Sequence, residues 1–230
     1  MSFHEVNVRD RSNSVPSLGV EGEVASMNLC FQRSFVPVPY AEALRTMQCH
    51  VESMRKNPFG VPERIWFTSH PPVYAYGPRT DLAQLMPLEH GNIPLYAVPR
   101  GGTLTFHGPG QRMVYLMLSL KKRHLTLRAL IETCERWILE TFAAFGICGR
   151  LKPPHRGIWT EAGKMASLGL FVQGGVTSYG FALNVHDDLS AFQSIHPCGL
   201  LDPMTSMESC IGPLTLDEVD CVLQKLCPFD

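Results

Sequence analysis

Two stretches of the chain place apolar residues three and four positions apart, the spacing that lines one face of an α-helix. The first predicts a helix from Tyr40 to Lys56, with an apolar face formed by Ala43, Leu44, Met47, Val51 and Met54. The second predicts a longer helix that ends at Gly146, with the stripe Leu127, Leu130, Ile131, Cys134, Trp137, Ile138, Thr141, Phe142 and Phe145. Because Cys134 lies on this stripe, we interpret it as a core residue.

Short apolar runs bounded by turn residues predict strands in both halves of the chain. In the first half these runs are residues 27–33, 64–68, 95–98 and 113–120, the last three interpreted as buried. In the second half, 157–161 and 165–172 flank the turn Ala162-Gly163, and a further strand covers 176–185. A terminal helix is predicted over 216–226, because Thr215 and Glu218 have capping-box spacing. This order predicts an α+β fold with mostly antiparallel sheets covered by two main helices.

The strand over 176–185 alternates bulky and small side chains. Residues two apart share one face of a strand, so one face is expected to carry Tyr179, Phe181, Leu183 and Val185. The other face then carries Ser178, Gly180 and Ala182. A face of small residues either packs tightly against a neighbouring element or leaves room for a ligand close to the backbone, and the sequence leaves both interpretations open.

Length and composition describe a globular chain with one core. With 230 residues, of which 45% are hydrophobic and 18% charged, we expect a polar N-terminal tail over residues 1–25 and one folded domain over 26–230. No run of about 18 apolar residues occurs, so no membrane-spanning helix and no membrane partner are expected. The net charge is −1, and we interpret the basic triplet Lys121-Lys122-Arg123 as a solvated turn. No nucleic-acid partner is therefore expected.

Eight cysteines are spread along the chain without a CxxC pair or a repeated spacing. The first residues carry no apolar signal-peptide core, so a reducing compartment and a cytoplasmic location are expected. His196 and Cys198 could be two zinc ligands, but no second pair lies at a familiar zinc spacing. We therefore predict no metal site.

A glycine-rich segment runs from Arg100 to Gln111 and contains four glycines and a proline. These residues disfavour regular structure and suit a loop whose backbone approaches a ligand closely. Arg100 and His107 bracket the segment and could fix a polar head group. An elaborate turn without a ligand is the alternative.

A second segment, Gly157 to Lys164, resembles a phosphate-binding loop. Five residues rather than four separate its glycines, and Met165 stands where the Mg²⁺-binding hydroxyl belongs, so this interpretation fails. A hairpin with Lys164 just past its turn fits better. Such a lysine is either a solvated edge charge or, because mostly apolar residues follow it, a side chain that enters an apolar pocket.

The third segment, Pro197-Cys198-Gly199, presents a cysteine on a loop, because the proline restricts the approach and the glycine frees the exit. A free thiol has a pKa of about 8.5, and a nearby cation that lowers it by about two units makes the thiolate the major form. Lys164 or His196 could supply that charge, and spacing alone does not choose between them.

Together and in this order, these segments resemble the lipoyl(octanoyl)transferase family, over about residues 27–210. The matching motifs are His70-Pro71-Pro72-Val73-Tyr74, Arg100 to Gln111, Gly157-Ile158-Trp159, Gly163 to Gly169, Ala182-Leu183-Asn184-Val185, Pro197-Cys198-Gly199 and Met204-Thr205-Ser206. Tyr74-Ala75-Tyr76-Gly77 departs from the family's Tyr-Thr-x-Gly, which leaves the substrate contacts near residue 76 open. The resemblance implies a single α+β catalytic domain over 26–230, similar to the biotin and lipoate ligases.

The implied activity is transfer of an octanoyl or lipoyl group from acyl carrier protein to a lysine of a lipoyl domain, the first step of endogenous protein lipoylation. The implied acceptors are the lipoyl domains of 2-oxoacid dehydrogenase E2 subunits and the glycine cleavage H protein, and no cofactor is implied. By resemblance, Cys198 carries the acyl group as a thioester and Lys164 activates it. The implied substrate-binding residues are Arg100, Gly101, Gly102, Thr103, Leu104, Thr105, Phe106, His107, Ser167, Leu168, Gly169, Gly180, Phe181 and Ala182.

Two alternatives belong to other functional classes. An ATP-dependent lipoate or biotin ligase would share the fold but would not need Cys198. A non-catalytic module that binds lipoyl domains would tolerate replacement of Lys164, because it has no turnover to lose.

Overall fold

The computed structural model describes residues 29–86, 88, 92–186, 188–195 and 202–230. The predicted tail over 1–25 lies outside these described residues, as do residues 27 and 28 of the first predicted strand. The segment 196–201, which contains Cys198, lies outside them as well. The division into a tail and a domain that begins at residue 26 therefore stays a prediction.

The described chain begins with a strand and a helix, continues through five strands, and ends with a four-strand meander between helices. The first half contains β1 (Leu29–Arg33), α1 (Tyr40–Lys56), β2 (Glu63–Thr68), β3 (Val73–Tyr76), β4 (Leu95–Ala97), β5 (Thr105–His107) and β6 (Gln111–Met117). The second half contains α2 (Leu127–Ala144), β7 (Arg150–Lys152), β8 (His155–Trp159), β9 (Lys164–Gln173), β10 (Val176–Asn184), α3 (Met207–Ile211) and α4 (Leu216–Lys225). Short 3₁₀ helices cover Leu82–Gln84 and Leu189–Ser194. Among the described helices, none is long and apolar enough to cross a membrane.

The strands form two sheets. The larger has the order β1-β2-β6-β10-β9-β8-β7, and the smaller has the order β4-β3-β5. The pairs β1–β2 and β3–β4 are parallel, and the other strand pairs of the described chain are antiparallel. The predicted α+β class with mixed, mostly antiparallel sheets is therefore confirmed.

The two long helices cover the larger sheet, as predicted, and the structure places them on its opposite faces. The bounds of α1 agree with the apolar pattern, and α2 ends two residues before Gly146, whose φ of +72° suits a helix terminus. α1 packs in a layer with Tyr115 and Ala182, and α2 packs in a layer with Phe181. Cys134 is 0% exposed in the α2 layer, which confirms it as a core residue.

The terminal helix α4 is held to the sheet by buried charges. Thr215 and Glu218 form the predicted capping box at its start. The buried carboxylate of Asp220 lies 3.0 Å from Arg33 Nε on β1 and 2.9 Å from Arg112 Nε on β6. Breaking a buried ion pair costs about 3–5 kcal/mol, so these contacts fix α4 in place.

The shortest elements are missing from the sequence-based prediction. β3, β7 and α3 have no counterpart in it, and the glycine-rich segment 100–111, expected to lack regular structure, contains β5 and the first residue of β6. The run 95–98, expected as a buried strand, forms β4, whose side chains are partly exposed, with only Val98 buried beyond its end.

Tyr179 lies on the opposite face of β10 from the one expected. Its φ of +60° is in the left-handed region, so its side chain is turned away from the α2 layer that holds Phe181 and Leu183. It lies instead in the α1 layer, with its ring centroid 6.4 Å from that of Tyr115. The expected alternation is therefore wrong at this residue.

The basic triplet is not fully solvated. Lys121 is exposed, as expected, but the Arg123 side chain is only 5% exposed. Its Nη2 lies 2.7 Å from Glu63 Oε2, and its Nη1 donates to the Phe229 carbonyl at 2.8 Å. The expected solvated turn is therefore wrong at Arg123, which joins β2 to the C-terminal segment.

Candidate active site

A cavity of about 550 Å³ lies where β5, β6, β9 and β10 approach one another, with the loop over 100–104 as one wall. It is lined by all but one of the residues implied to bind substrate: Arg100, Gly101, Gly102, Thr103, Leu104, Thr105, His107, Ser167, Leu168, Gly169, Gly180, Phe181 and Ala182. Lys164 lines the same cavity. Segments far apart in sequence therefore meet at one site, although their binding role stays a prediction.

Phe106 does not share this site. Its neighbours Thr105 and His107 on β5 line the cavity, and alternation along the strand directs Phe106 to the other side. There its ring lies 5.6 Å from that of Tyr74 and 5.5 Å from that of Phe192, in edge-to-face contacts. The structure gives Phe106 a core position, which corrects the expectation that it lines the substrate site.

Arg100 holds the glycine-rich loop in shape. Its guanidinium donates to the carbonyl oxygens of Ala75 at 2.8 Å, Gly101 at 3.0 Å and Thr103 at 3.1 Å. Its side chain therefore joins the loop to β3 as well as lining the cavity.

Glycines allow the backbone segments of the cavity wall to touch. The Gly101 N–H donates to the Leu170 carbonyl at 3.0 Å, and a Cβ on Gly169 would lie 2.7 Å from the Gly101 carbonyl oxygen. A Cβ on Gly180 would overlap the Val114 carbonyl oxygen of β6. At Gly180, β10 thus packs tightly against the neighbouring strand β6. Gly180 and Ala182 also border the cavity, and a ligand at this face stays a prediction.

Two buried histidines lie on the α1 side of the cavity. His70 Nδ1 donates to a backbone carbonyl at 2.7 Å, so its Nε2 accepts from the Tyr115 hydroxyl at 2.7 Å. The His107 ring stacks 5.8 Å from that of Tyr40. Burial lowers the pKa of His70 to about 4, and burial together with the charge of Arg100 lowers the pKa of His107 to about 3. Both rings are therefore neutral near pH 7.

The tyrosines of this region stay protonated. Burial raises the pKa of Tyr179 to about 12, and it also raises the pKa values of Tyr40 and Tyr115 well above their usual range. Their hydroxyls are therefore hydrogen-bond donors, and the α1 side of the cavity is polar but uncharged apart from Arg100.

A chain of buried hydrogen bonds runs from His107 toward Lys164. His107 Nδ1 donates to Gln111 Oε1 at 2.6 Å, and Gln111 Nε2 donates to Asn184 Oδ1 at 2.8 Å. Asn184 Nδ2 then donates to the Thr205 carbonyl at 3.0 Å. The Thr205 N–H donates to the Lys164 carbonyl at 3.0 Å. The chain links the small sheet to the start of β9 and fixes the orientation of each amide.

Lys164, the first residue of β9, is 3% exposed, and its Nζ lies 5.1 Å from the centroid of the Trp159 ring, within cation–π reach. Gly157, which has a positive φ, makes room for its stem, because a Cβ there would lie 2.8 Å from Lys164 Cε. Gly163, also with a positive φ, makes room for the neighbouring chain, because a Cβ there would overlap the Pro203 carbonyl oxygen. That oxygen accepts from the Lys164 N–H at 2.8 Å. Of the two positions open to this lysine, the structure shows the buried one.

Comparison with known proteins gives this arrangement a family. Residues 39–226 match the lipoyl protein ligase A/B catalytic domain. The chain belongs to this family. The octanoyltransferase of Parvibaculum lavamentivorans is 36% identical over 201 residues, which cover 84% of this chain and 88% of the relative. The octanoyltransferase of Paramagnetospirillum magneticum is 37% identical over 198 residues, which cover 84% and 92%.

Solved lipoate ligases share the fold of this lipoyl protein ligase A/B family member. Lipoate-protein ligase A bound with ATP has a TM-score of 0.61 at 14% identity, over 85% of this chain and 83% of that one. An archaeal bipartite lipoate protein ligase, described together with its E2 lipoyl domain from Thermoplasma acidophilum, has a TM-score of 0.59 at 13% identity, over 86% and 81%. The predicted family and the lipoate ligase-like fold are confirmed.

The cavity of this family member also has lining residues that the sequence analysis missed. They are Tyr40, Arg79, Met113, Tyr115, Leu127, Ile131, Pro154, His155, Arg156, Leu170 and Tyr179. Met113 and Tyr115 carried a usable signal, because they lie two apart on a predicted strand and therefore share a face. The others come together through tertiary packing, for which the sequence held no signal. Among the described residues, no group of His, Cys, Asp or Glu side chains is suited to hold a metal ion.

Proposed function

We propose that this protein is an octanoyltransferase that carries the acyl group as a thioester on Cys198, passes it to a lysine of a lipoyl domain, and uses Lys164 as the proton donor and acceptor. Octanoyl transfer in protein lipoylation follows from the relatives, which are octanoyltransferases at 36% and 37% identity over most of the chain. The thioester, the donor and the roles of the residues rest on the chemistry of the site.

The observation that supports these roles is the convergence on one cavity. The loop over 100–105, residues 167–169 and residues 180–182 all border the space that Lys164 lines. The chain around Thr205 is bonded to Lys164, and Cys198 precedes Pro203 by five residues in sequence. Five residues span at most about 18 Å, so the nucleophile is tethered to the wall that holds the lysine.

In the first half-reaction, the Cys198 thiolate attacks the carbonyl carbon of an octanoyl thioester on acyl carrier protein. The bond between that carbon and the carrier sulfur breaks, and the departing sulfur takes a proton from the Lys164 ammonium. The products are octanoyl-Cys198, the free carrier thiol and a neutral Lys164 amine. The thioester arrives activated, so this step needs no ATP.

In the second half-reaction, the amine of the acceptor lysine attacks the acyl carbon of octanoyl-Cys198. An amide bond forms, the bond to the Cys198 sulfur breaks, and the proton of the attacking amine passes to Lys164. The thiolate and the ammonium are regenerated together. Burial of Lys164 against the Trp159 ring supports this role, because proton transfer in both directions requires a fixed amine.

The partners that we propose are two carrier proteins. Acyl carrier protein is the donor, and the acceptors are lipoyl domains of 2-oxoacid dehydrogenase E2 subunits and the glycine cleavage H protein. We also propose the cytoplasm as the location, which cell fractionation with an antibody against the chain would test.

The decisive experiment is to mix the protein with octanoyl-acyl carrier protein in the absence of ATP and to map the adduct by mass spectrometry. We expect one octanoyl group on the peptide that contains Cys198, and its loss when a lipoyl domain is added. Cys198→Ser abolishes the adduct, whereas Cys148→Ser, at an exposed free cysteine, retains it. An adduct on another residue, or transfer that requires ATP and free lipoate, contradicts the proposal and favours a ligase.

A further inference from the structure

Trp159 contacts two charged side chains, one of which, Lys164, lines the cavity. It is 2% exposed, and its Nε1–H donates to Asp202 Oδ2 at 3.2 Å. The face of the same ring carries Lys164 Nζ, 5.1 Å from its centroid. The edge of the indole therefore contacts the Asp202 carboxylate, and its face contacts the Lys164 amine, which lines the cavity.

Asp202 is held by a second partner. Lys152 Nζ on β7 lies 2.9 Å and 2.7 Å from its two carboxylate oxygens. The hydrogen bond from Lys152 lowers the pKa of the Asp202 carboxyl, so the group is a carboxylate at neutral pH. Lys152, Trp159 and Lys164 lie on the adjacent strands β7, β8 and β9. Asp202 begins the next described segment of the chain and contacts the side chains of Lys152 and Trp159.

Asp202 lies close in sequence to the proposed nucleophile and next to a residue whose backbone contacts Lys164. It follows Cys198 by four residues, and it directly precedes Pro203, whose carbonyl accepts from the Lys164 N–H. The chain on the C-terminal side of the proposed nucleophile is therefore fastened to the sheet at two consecutive residues. One of these contacts is the backbone bond to Lys164, and the other is the side-chain bond to Trp159.

We propose that Trp159 is a positioning residue for acyl transfer. Its ring orients the Lys164 amine, and its N–H, acting through Asp202, fixes the chain that follows Cys198, so the nucleophile and its proton donor share one support. This inference rests on the function proposed above. Tryptophan gives the strongest cation–π contact, but only its N–H reaches Asp202, so phenylalanine at this position keeps a ring beside the amine and loses the link.

The test separates positioning from stability by means of a matched control. Trp66 is also buried and donates from its indole, to Ser34 Oγ at 2.9 Å, so its hydrogen bond involves neither Asp202 nor Lys164. Trp66→Phe and Trp159→Phe each remove one buried hydrogen bond. The formation of octanoyl-Cys198 from octanoyl-acyl carrier protein is followed in single turnover by intact mass, together with KM for the donor and the urea midpoint.

We expect Trp159→Phe and Asp202→Ala each to slow acylation about tenfold, the size of effect that corresponds to one hydrogen bond to a charged group. KM for the donor stays within twofold of the wild type, and the urea midpoint of Trp159→Phe matches that of Trp66→Phe. The double variant is no slower than either single variant, because both break the same link. Asp202→Asn retains an oxygen that accepts from the indole and stays within threefold of the wild type.

Two results overturn the inference: a Trp159→Phe rate within twofold of Trp66→Phe, or losses that multiply to about a hundredfold in the double variant. Either result leaves the proposed function intact, provided that the wild type is acylated on Cys198. A wild type that acquires no octanoyl group rejects the proposed function itself.

Discussion

At the scale of single residues, Lys164 is a basic side chain that is buried in the wall of the cavity. Its stem fits only because position 157 lacks a Cβ, and its amine lies against an indole face. From the sequence alone, Lys164 could lie at a solvated strand edge or in an apolar pocket, because a lysine just past a hairpin turn can occupy either position. Burial against Trp159 agrees with the catalytic role that the family resemblance implies.

Lys164→Met keeps the length of the side chain and removes the proton donor. We expect the rate of Cys198 acylation to fall by a factor on the order of 10² to 10⁴, the usual contribution of a positioned acid or base. The urea midpoint should not fall, because the change removes a buried cation. Lys121→Met, at an exposed lysine, is the control and should keep the wild-type rate. A Lys164→Met enzyme with full turnover would contradict the mechanism.

Single residues also show where sequence patterns fail. The predicted face of Tyr179 is wrong because its φ of +60° turns the side chain, and no periodicity encodes a backbone angle. Phe106 belonged to a matching motif, yet strand alternation directs it away from the cavity. A motif marks a segment, whereas the side that each residue faces depends on local geometry.

At the scale of elements, the hairpin between β8 and β9 sets the position of the catalytic candidates. Gly163 has a φ of +144° and lies against the Pro203 carbonyl oxygen, so its turn admits the chain that is bonded to Lys164. This arrangement makes the turn sensitive to a single methyl group.

Gly163→Ala adds both backbone strain and overlap with Pro203, so we expect it to lower the free energy of unfolding by about 3 kcal/mol. Acylation should slow as well, because the chain after Cys198 is displaced. Gly175 has a φ of +79° and open space around it, so Gly175→Ala carries strain alone, about 1 kcal/mol, with normal activity. Urea denaturation measures the free energy of unfolding of both variants. Equal losses of stability would show that Pro203 moves to accommodate the added methyl group.

The two long helices could be predicted from the sequence, whereas the short strands β5 and β7 could not. α1 and α2 each repeat an apolar face over several turns, which is a strong periodic signal. β5 and β7 have three residues each, too few to display alternation. β5 forms by pairing with β3, and β7 forms by pairing with β8. A short stretch of sequence does not show which distant strand will pair with it.

At the scale of the whole molecule, the two buried histidines link stability to pH. The pKa of His70 is lowered to about 4 and that of His107 to about 3, whereas unfolded histidine titrates near 6.5. Between these limits the unfolded chain binds protons that the folded chain does not. The stability contributed by each neutral ring is therefore present above pH 6.5 and is lost as the pH falls, by about 1.4 kcal/mol per pH unit.

His70→Gln tests this linkage. Glutamine offers an N–H to the Val38 carbonyl and an oxygen to the Tyr115 hydroxyl, so it preserves both contacts without a titrating group. We expect the slope of unfolding free energy against pH, measured between pH 6 and 5 by urea denaturation, to decrease by about one proton. His186→Gln, at an exposed histidine, should leave the slope unchanged. An unchanged slope in His70→Gln would mean that the His70 ring is protonated in the folded state.

The global arrangement was only partly accessible from the sequence. The order of motifs predicted the family, and the family model matches residues 39–226. It did not predict that a separate three-stranded sheet supplies β5 to the cavity, nor that Asp220 joins α4 to two strands. Such features depend on contacts between distant segments, and Cys198 itself lies outside the described residues.

The pairing of β6 with β10 has a consequence for the way in which the protein acquires its cavity. β8, β9 and β10 are neighbours along the chain and pair locally, whereas β6 and β10 are separated in sequence by α2 and three strands, so their pairing is non-local. Such non-local pairing is the slow part of folding. Because Tyr115 and Gly180 face each other across this seam and both border the cavity, the pocket is completed at the end of folding. A half-folded chain therefore has no chamber in which to receive an acyl chain.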